Sequence, residues 1–320
     1  MIMMRVLITG ITGFAGSYLA EALLAKKDVE LFGTSRDEGW PAACAHLADQ
    51  VKFRTCDLCH GEAIASFLGE VQPDQVYHLA GYAHAGHSHN DPDAAWDGNL
   101  TATRRLYDAI AAWGGKPRIL FVGSGLIYGD ASSLDQAPDE KAPFQPNSPY
   151  ASSKAAADLV SYQYTVAPRL DIVRVRPFNH IGPRQSADFA VAGFAKQIAA
   201  IERGAQDPVL ETGDLRPRRD FTDVRDMVRA YRMLLERGRT GQVYNAGTGT
   251  VQAMQEVVDQ LLSLARIKIE TRQQPGLLRV AETTVVRANA ARLRNEIGWQ
   301  PQIPLRKTLT DILEYWRQQP

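Results

Sequence analysis

The stretch that most constrains this chain lies near residue 10. Arg5-Val6-Leu7-Ile8-Thr9 reads as a buried strand and runs directly into Gly10-Ile11-Thr12-Gly13-Phe14-Ala15-Gly16, after which 17–25 carries apolar residues at helical spacing. A strand, a glycine turn and a helix form the opening unit of a dinucleotide-binding fold. Glycines let the backbone approach a pyrophosphate, and the helix N-terminus attracts its charge. Gly10, Thr12, Gly13, Phe14, Ala15 and Gly16 are therefore candidate cofactor contacts. The unit predicts an α/β chain, a doubly wound parallel Rossmann sheet joined to a smaller mixed α/β substrate domain.

The following segments continue the pattern. A second strand is expected over 29–34, ending in Ser35-Arg36. An acidic residue there would hold the ribose 2′-hydroxyl of NAD, whereas arginine suits a 2′-phosphate. Ser35 and Arg36 point to NADP(H) as the preferred cofactor, and the neighbouring Asp37 and Glu38 leave NAD(H) possible. A third strand over 51–55 leads to Asp57 and Leu58, where Asp57 either touches the adenine edge or caps the next helix. A fourth strand over 75–79 ends at Leu79-Ala80-Gly81, small residues that let a cofactor lie close. His84, His87 and His89 follow without a matching carboxylate or cysteine set, so a loop over the substrate is expected there rather than a metal site. The segment 93–113 reads as one long helix, and its Asn99-Leu100-Thr101 matches a glycosylation sequon that a cytosolic protein would not use. A fifth strand over 119–123 precedes Ser124, and a sixth covers 171–176.

Ser148-Pro149-Tyr150-Ala151-Ser152-Ser153-Lys154 predicts a helix start near Ser148. Tyr150 and Lys154 then share one helix face, where the ammonium is expected to lower the phenol pKa and suit it to proton exchange with a substrate oxygen. Ser124 at a strand end is placed to hydrogen-bond the same oxygen. Composition closes off other classes. Lys plus Arg and Asp plus Glu each number 36, so the basic footprint of a nucleic-acid binder is missing. No apolar run reaches the ~18 residues of a membrane span. Three cysteines argue against a disulfide framework, and Cys56 and Cys59 lack a second ligand pair, which predicts a reduced, cytoplasmic protein with no metal.

The glycine motif, Ser124, Tyr150-x-x-x-Lys154 and Arg176-Pro177-Phe178-Asn179 occur in one order that resembles the extended short-chain dehydrogenase/reductase superfamily, the nucleotide-sugar epimerases, dehydratases and reductases. Within it, RPFNHIGPRQ (176–185), FAKQI (194–198), RDFTDVRDMVRAY (219–231) and GWQPQIPL (298–305) are similar to the reductases of GDP-4-keto-6-deoxy-D-mannose, which form GDP-D-rhamnose. The resemblance implies a catalytic triad of Ser124, Tyr150 and Lys154, with Lys154 and Pro177 also at the cofactor. It implies that Asn179, Arg219 and Arg279 bind the sugar-nucleotide diphosphate, that Glu282 holds the guanosine ribose, and that Val191, Phe194 and Lys196 lie near the guanine. It further implies a cofactor domain of 1–178 plus about 219–247, a sugar-nucleotide domain of 179–218 and 248–320, and a homodimer through a helix bundle. The resembling group commonly carries GPGQ where this chain has Gly182-Pro183-Arg184-Gln185, and RPSEV or RPTEV at 279–283. The acids of 4,6-dehydratases follow the triad hydroxyl directly; here Gly125 and Leu126 stand there. The expected reaction is NADP(H)-linked reduction of a C4 ketone. A 4-epimerase or a 4,6-dehydratase is the alternative, and a non-catalytic dinucleotide sensor a more distant one.

Overall fold

The computed structural model describes residues 3–132, 136–277 and 284–319. The chain opens with β1 (Met4–Thr9), α1 (Phe14–Leu24), β2 (Val29–Ser35), β3 (Lys52–Thr55), α2 (Gly61–Val71) and β4 (Gln75–His78). It continues through α3 (Pro92–Trp96), α4 (Ala102–Trp113), β5 (Arg118–Val122), α5 (Pro149–Val166) and β6 (Asp171–Pro177). After β7 (His180–Ile181) come α6 (Ala190–Glu202), β8 (Val209–Thr212), β9 (Arg218–Asp220), β10 (Thr222–Asp223), α7 (Val224–Arg237) and β11 (Val243–Ala246). The last part holds β12 (Val251–Ala253), α8 (Met254–Ser263), β13 (Glu270–Gln273), β14 (Val285–Val286) and α9 (Leu305–Arg317).

Seven strands form one parallel sheet in the order β11-β6-β5-β4-β1-β2-β3. The order reverses between β1 and β4, which makes their carboxyl ends the crevice where such sheets bind ligands. Strand periodicity sends alternate residues to opposite faces, so a two-sided sheet needs continuous apolar strands. Val6 and Ile8 pack with Leu19, Leu23, Met227, Tyr231 and Leu234 of α1 and α7. Leu7 between them packs on the other face with Phe67, Leu106, Ile110 and Ala157 of α2, α4 and α5. A further core, built by Ile198, Leu210, Val257, Leu261, Leu309 and Ile312, lies among α6, β8, α8 and α9.

One segment differs from expectation. The helix expected over 93–113 is interrupted by a π-helical turn at Asp97–Thr101, which joins α3 to α4. Such a turn adds a residue without breaking the helix, so apolar spacing does not reveal it. β11, within the stretch of about 219–247 expected to join the cofactor domain, pairs with β6 and completes the central sheet at its edge.

α5 begins as anticipated. Ser148 accepts a hydrogen bond from the Ala151 N–H at 3.2 Å, and Pro149 occupies the first helical position. Tyr150, Lys154 and Asp158 then fall at four-residue intervals on one face. Arg174 and Arg176 alternate along β6, so both project toward that face. Arg174 Nη1 reaches Asp158 Oδ1 at 2.6 Å, and Arg176 Nε and Nη2 reach Oδ2 and Oδ1 at 3.0 and 2.9 Å. Arg176 also donates to the Tyr128 hydroxyl at 2.5 Å and to Glu140 O at 3.2 Å, and Tyr128 donates to Asn245 at 2.8 Å. The Asp158 side chain is fully buried. Removing it leaves two buried guanidinium groups short of their counter-charge. Asp158→Ala should therefore lose about 3–5 kcal/mol of unfolding free energy, read from denaturant midpoints. An unchanged midpoint would show that β6 does not hold α5 through this group.

Candidate active site

The glycine turn is shaped by close backbone approach. Gly10 has φ +72°, and a side-chain carbon there would lie 2.8 Å from Ala80 N. A carbon on Gly16 would lie 2.2 Å from Gly10 O, so α1 seats directly on the turn. Gly13 precedes the helix and no side chain caps it, nor is any acidic residue in the first turn. The N–H groups of Phe14 and Ala15 thus face the crevice with the positive end of the helix behind them. Thr12 donates to Ser35 Oγ at 2.8 Å and ties the turn to the end of β2. Beside it Arg36 is exposed, 3.8 Å from Asp37. These features fit a dinucleotide, with room against glycine backbone and an uncapped helix end.

Asp57 caps no helix: its carboxylate accepts from the Cys59 N–H at 2.9 Å in the turn before α2, whose N-cap residue His60 makes no side-chain capping bond, and it lies 3.6 Å from His60. Leu58 is buried in the core below. Leu79 donates its N–H to Thr9 O at 3.2 Å, which fixes Ala80 and Gly81 at the mouth of the crevice. Pro177 closes β6 beside them.

Ser124, Tyr150 and Lys154 come together at the ends of β5 and α5. Ser124 is buried; its Oγ accepts from the Leu126 N–H at 3.2 Å, and its hydroxyl neighbours that of Tyr150. Lys154 donates to Val122 O at 3.2 Å. The expected acidification of the phenol by Lys154 is not what this arrangement produces. Burial raises the Tyr150 pKa, and the Ser124 hydrogen bond opposes it. The ammonium is committed to Val122 and is itself pushed down to about 8 by burial. The tyrosine is therefore a protonated donor at neutral pH, already paired with a serine hydroxyl.

Asn99 is a residue that the sequence reading passed over as a sequon. It is buried in the π-turn, donates through Nδ2 to Ser153 Oγ at 3.0 Å, and leaves Oδ1 without a partner. Ser153 in turn donates to Tyr150 O at 2.9 Å. A side-chain carbon on Gly81 would lie 2.7 Å from Asn99 Oδ1 and 3.1 Å from Lys154 Nζ, so both groups border the same small space. A buried acceptor without a partner beside a lysine fits a hydroxyl-bearing ligand. Its sequence signal, a polar residue on a buried helix face, needs the π-turn to be recognised.

The histidine loop, read as a loop over the substrate, packs against the residues that open α6 and α5. His84 stacks on Phe189 at 4.7 Å and on His87 at 5.1 Å, and Ser88 Oγ accepts from the Tyr150 N–H at 3.2 Å. Among the described residues no three His, Cys, Asp or Glu side chains group as metal ligands.

The substrate-side expectations divide. Asn179 follows β6 at the crevice, and its buried Oδ1 has no partner. Arg219 lies on β9 and donates to Arg218 O and Thr284 O. The side chains of Val191 and Phe194, expected near the guanine, are buried in the core of α6, α8 and α9. They lie on the inward stripe of α6. Lys196 is exposed, 5.5 Å from the Trp316 ring. Arg279 and Glu282 lie outside the described residues. Arg184, where the resembling group has glycine, adopts φ +71°. It is held there by Glu21, at 2.6 and 3.0 Å, and by the Tyr18 ring at 3.7 Å.

The lowered Lys154 pKa has a measurable consequence in the cofactor-free protein. Below about pH 8 the folded state carries a buried charge; above it the folded state has released the proton while the unfolded chain still holds it. Stability from this group therefore rises between about 8 and the ordinary lysine value. Lys154→Met should be the more stable protein at pH 7, with its advantage shrinking toward pH 10 in chemical denaturation. An advantage independent of pH would contradict the burial argument.

The profile of the family described as GDP-mannose 4,6 dehydratase matches residues 7–312. The chain is 34% identical over 312 residues to GDP-6-deoxy-D-mannose reductase of Pseudomonas aeruginosa, covering 98% of this chain and 97% of the relative. The structure of RMD from Pseudomonas aeruginosa complexed with NADPH superposes with a TM-score of 0.83 at 32% identity, over 98% of this chain and 99% of that one. UDP-glucose 4-epimerase of Thermus thermophilus, complexed with NAD, superposes with a TM-score of 0.87 at 28% identity, again over 98% and 99%. By profile and by sequence, the chain belongs to the GDP-mannose 4,6-dehydratase family of extended short-chain dehydrogenases/reductases.

Proposed function

We propose that the protein reduces the C4 ketone of GDP-4-keto-6-deoxy-D-mannose, with NADP(H) as preferred cofactor, to GDP-D-rhamnose or its C4 epimer. The observation that carries this reading is the Ser124–Tyr150 hydroxyl pair beside buried Lys154, in a site whose next positions are Gly125 and Leu126. The 34% identity to a GDP-6-deoxy-D-mannose reductase supports the substrate, and the NADPH complex of the related structure supports the cofactor together with exposed Arg36.

Gly10, Gly13 and the N–H groups of Phe14 and Ala15 would hold the pyrophosphate, and Asn99 and Lys154 the nicotinamide ribose. When bound, the reduced nicotinamide supplies a hydride to the ketone carbon. Tyr150 gives its proton to the oxygen as negative charge develops there, and Ser124 donates a second hydrogen bond. Asn179 and Arg219 would bind the diphosphate, Arg219 through a planar fork suited to phosphate oxygens. Lys196, exposed on α6, and Val191 and Phe194 on the same helix are the candidates for the nucleotide base.

A 4,6-dehydratase must also remove the C5 proton and expel the C6 hydroxyl, which calls for a carboxylate acid or base. Asp130 is poorly suited to serve as the acid for the leaving water. Although burial raises its pKa, hydrogen bonds from Val285 and Ser132 N–H groups outweigh it and hold the carboxyl below its usual range. Asp188 is exposed and accepts from Ser186 Oγ at 2.8 Å. The hydroxyl pair itself would be superfluous in a protein that only sensed the cofactor.

Leu159, Tyr162 and Val166 stand on α5 at helical spacing, and all are half or more exposed. This apolar stripe supports a second copy of the chain as partner, and its free cysteines support a reducing, cytoplasmic setting. No helix of the described residues is long and apolar enough to cross a membrane. Tyr162→Asp should halve the mass measured by light scattering; an unaltered mass would remove α5 from the interface.

The function is tested by incubating the protein with the 4-keto sugar and NADPH or NADH in parallel and identifying the product by NMR. The wild type should reduce it, faster with NADPH at limiting cofactor, and should leave GDP-mannose with NADP⁺ unchanged. Tyr150→Phe should lose at least about 100-fold in kcat with NADPH binding retained, the scale of a missing general acid. Formation of the 4-keto product from GDP-mannose would instead establish a dehydratase.

A further inference from the structure

His78 is a buried, polar last residue of β4, following buried Val76 and Tyr77, and the chemistry above does not use it. Its ring lies between Tyr107 and Phe121, and each ring nitrogen meets a threonine hydroxyl. Nδ1 is 2.8 Å from Thr9 Oγ1 and Nε2 is 2.9 Å from Thr103 Oγ1. The proton positions follow from the ends of this chain. Thr103 Oγ1 is 2.5 Å from Asn99 O, and a carbonyl only accepts, so Thr103 donates its single proton there. Toward His78 it can then only accept, which puts the ring proton on Nε2. A neutral ring protonated on Nε2 accepts at Nδ1, so Thr9 donates to it. Thr9 Oγ1 accepts in turn from the Ala80 N–H at 3.2 Å. The bonds thus run in one direction from Ala80 through Thr9, His78 and Thr103 to the carbonyl of Asn99.

The far end of the chain is the π-turn whose residue Asn99 holds Ser153 and, through it, the Tyr150 backbone, while its free Oδ1 borders Gly81 with Lys154 Nζ. The near end is the turn after β4, at the mouth of the cofactor crevice. We propose that His78 is a positioning residue, a neutral Nε2–H ring that sets the Asn99 turn at a fixed distance from Ala80 and so aims Asn99 Oδ1 and Lys154 Nζ at the same ligand hydroxyls. This rests on reading the site as a hydride-transfer centre. Burial and the nearby Lys154 charge keep the ring neutral, pushing its pKa down to about 3. Protonation would place a donor at Nδ1 against the Thr9 hydroxyl, whose proton would then have nowhere to go along the chain. An apolar ring of similar volume would fill the space but would leave both threonines and the turn without a common reference.

The test uses the full chain. Thr103→Val keeps the volume and removes the hydroxyl, and Thr103→Ser restores it. Thr103→Val should lower kcat about tenfold or more while KM for both substrates stays within about twofold, as expected for a small misplacement of reacting groups. Thr103→Ser should recover most of that loss. Nitrogen-15 NMR of histidine-labelled protein should show one imidazole held as the Nε2–H tautomer and not titrating from about pH 5 to 9, with that signal lost in His78→Phe. A kcat for Thr103→Val within twofold of wild type, a serine variant as impaired as the valine one, or an Nδ1–H ring at position 78 would each overturn the proposal. If the unaltered protein fails to reduce the keto sugar, the functional reading falls, and the tautomer measurement decides the geometry of His78 on its own.

Discussion

The catalytic helix is held against the sheet by a buried carboxylate. Asp158 has no exposed surface and meets two arginines that alternate along β6. A pair of this kind gains little over an apolar core of the same volume, because desolvation offsets most of its attraction. What it supplies is registry. Apolar side chains tolerate a helix slid by part of a turn, whereas three hydrogen bonds to one carboxylate do not. Tyr150 and Lys154 share the face of Asp158, so their depth over β5 and β6 is set by that carboxylate. Arg176 extends the same registry to Tyr128 and Asn245, which links the loop after Ser124 to the edge strand.

Burial then decides the electrostatics. The same desolvation that lowers the Lys154 pKa raises that of Tyr150 and neutralises His78. In the cofactor-free protein at neutral pH the site thus holds a protonated tyrosine hydroxyl and a neutral His78 ring beside the lysine, rather than a phenolate–ammonium pair. That state suits proton delivery to a forming alkoxide, since the tyrosine is charged with its proton before the reaction begins.

Arg184 shows how a departure from a family pattern is accommodated. A glycine would adopt its left-handed backbone without strain; the arginine adopts it because Glu21 and Tyr18 of α1 hold its side chain. The loop before α6 is thereby fastened to the helix that seats the glycine turn. His46 meets the same Glu21 at 2.8 Å, so a single carboxylate joins three segments distant in sequence.

Much of this was legible from residues alone. The strand and glycine turn at 5–16 announced the sheet, because backbone conformation and close approach at Gly10 and Gly16 leave few alternatives. Ser148 and Pro149 marked the start of α5, because a cap and a fixed φ act within a few residues. Strand boundaries came within a residue or two for the same local reasons. What sequence could not show depended on distance. Asp158 sits one turn beyond Lys154, yet only the packing of β6 reveals that it is a buried counter-charge and not a solvated one. Val191 and Phe194 follow the family pattern, but α6 turns their side chains into a core. The direction of the Lys154 shift needed its burial, and Asn99 needed a π-turn that periodicity hides. Local residue types determined the elements and their order. The protonation states and the aim of the catalytic groups were decided by tertiary burial, because the dielectric and hydrogen-bond partners at a side chain come from segments far along the chain.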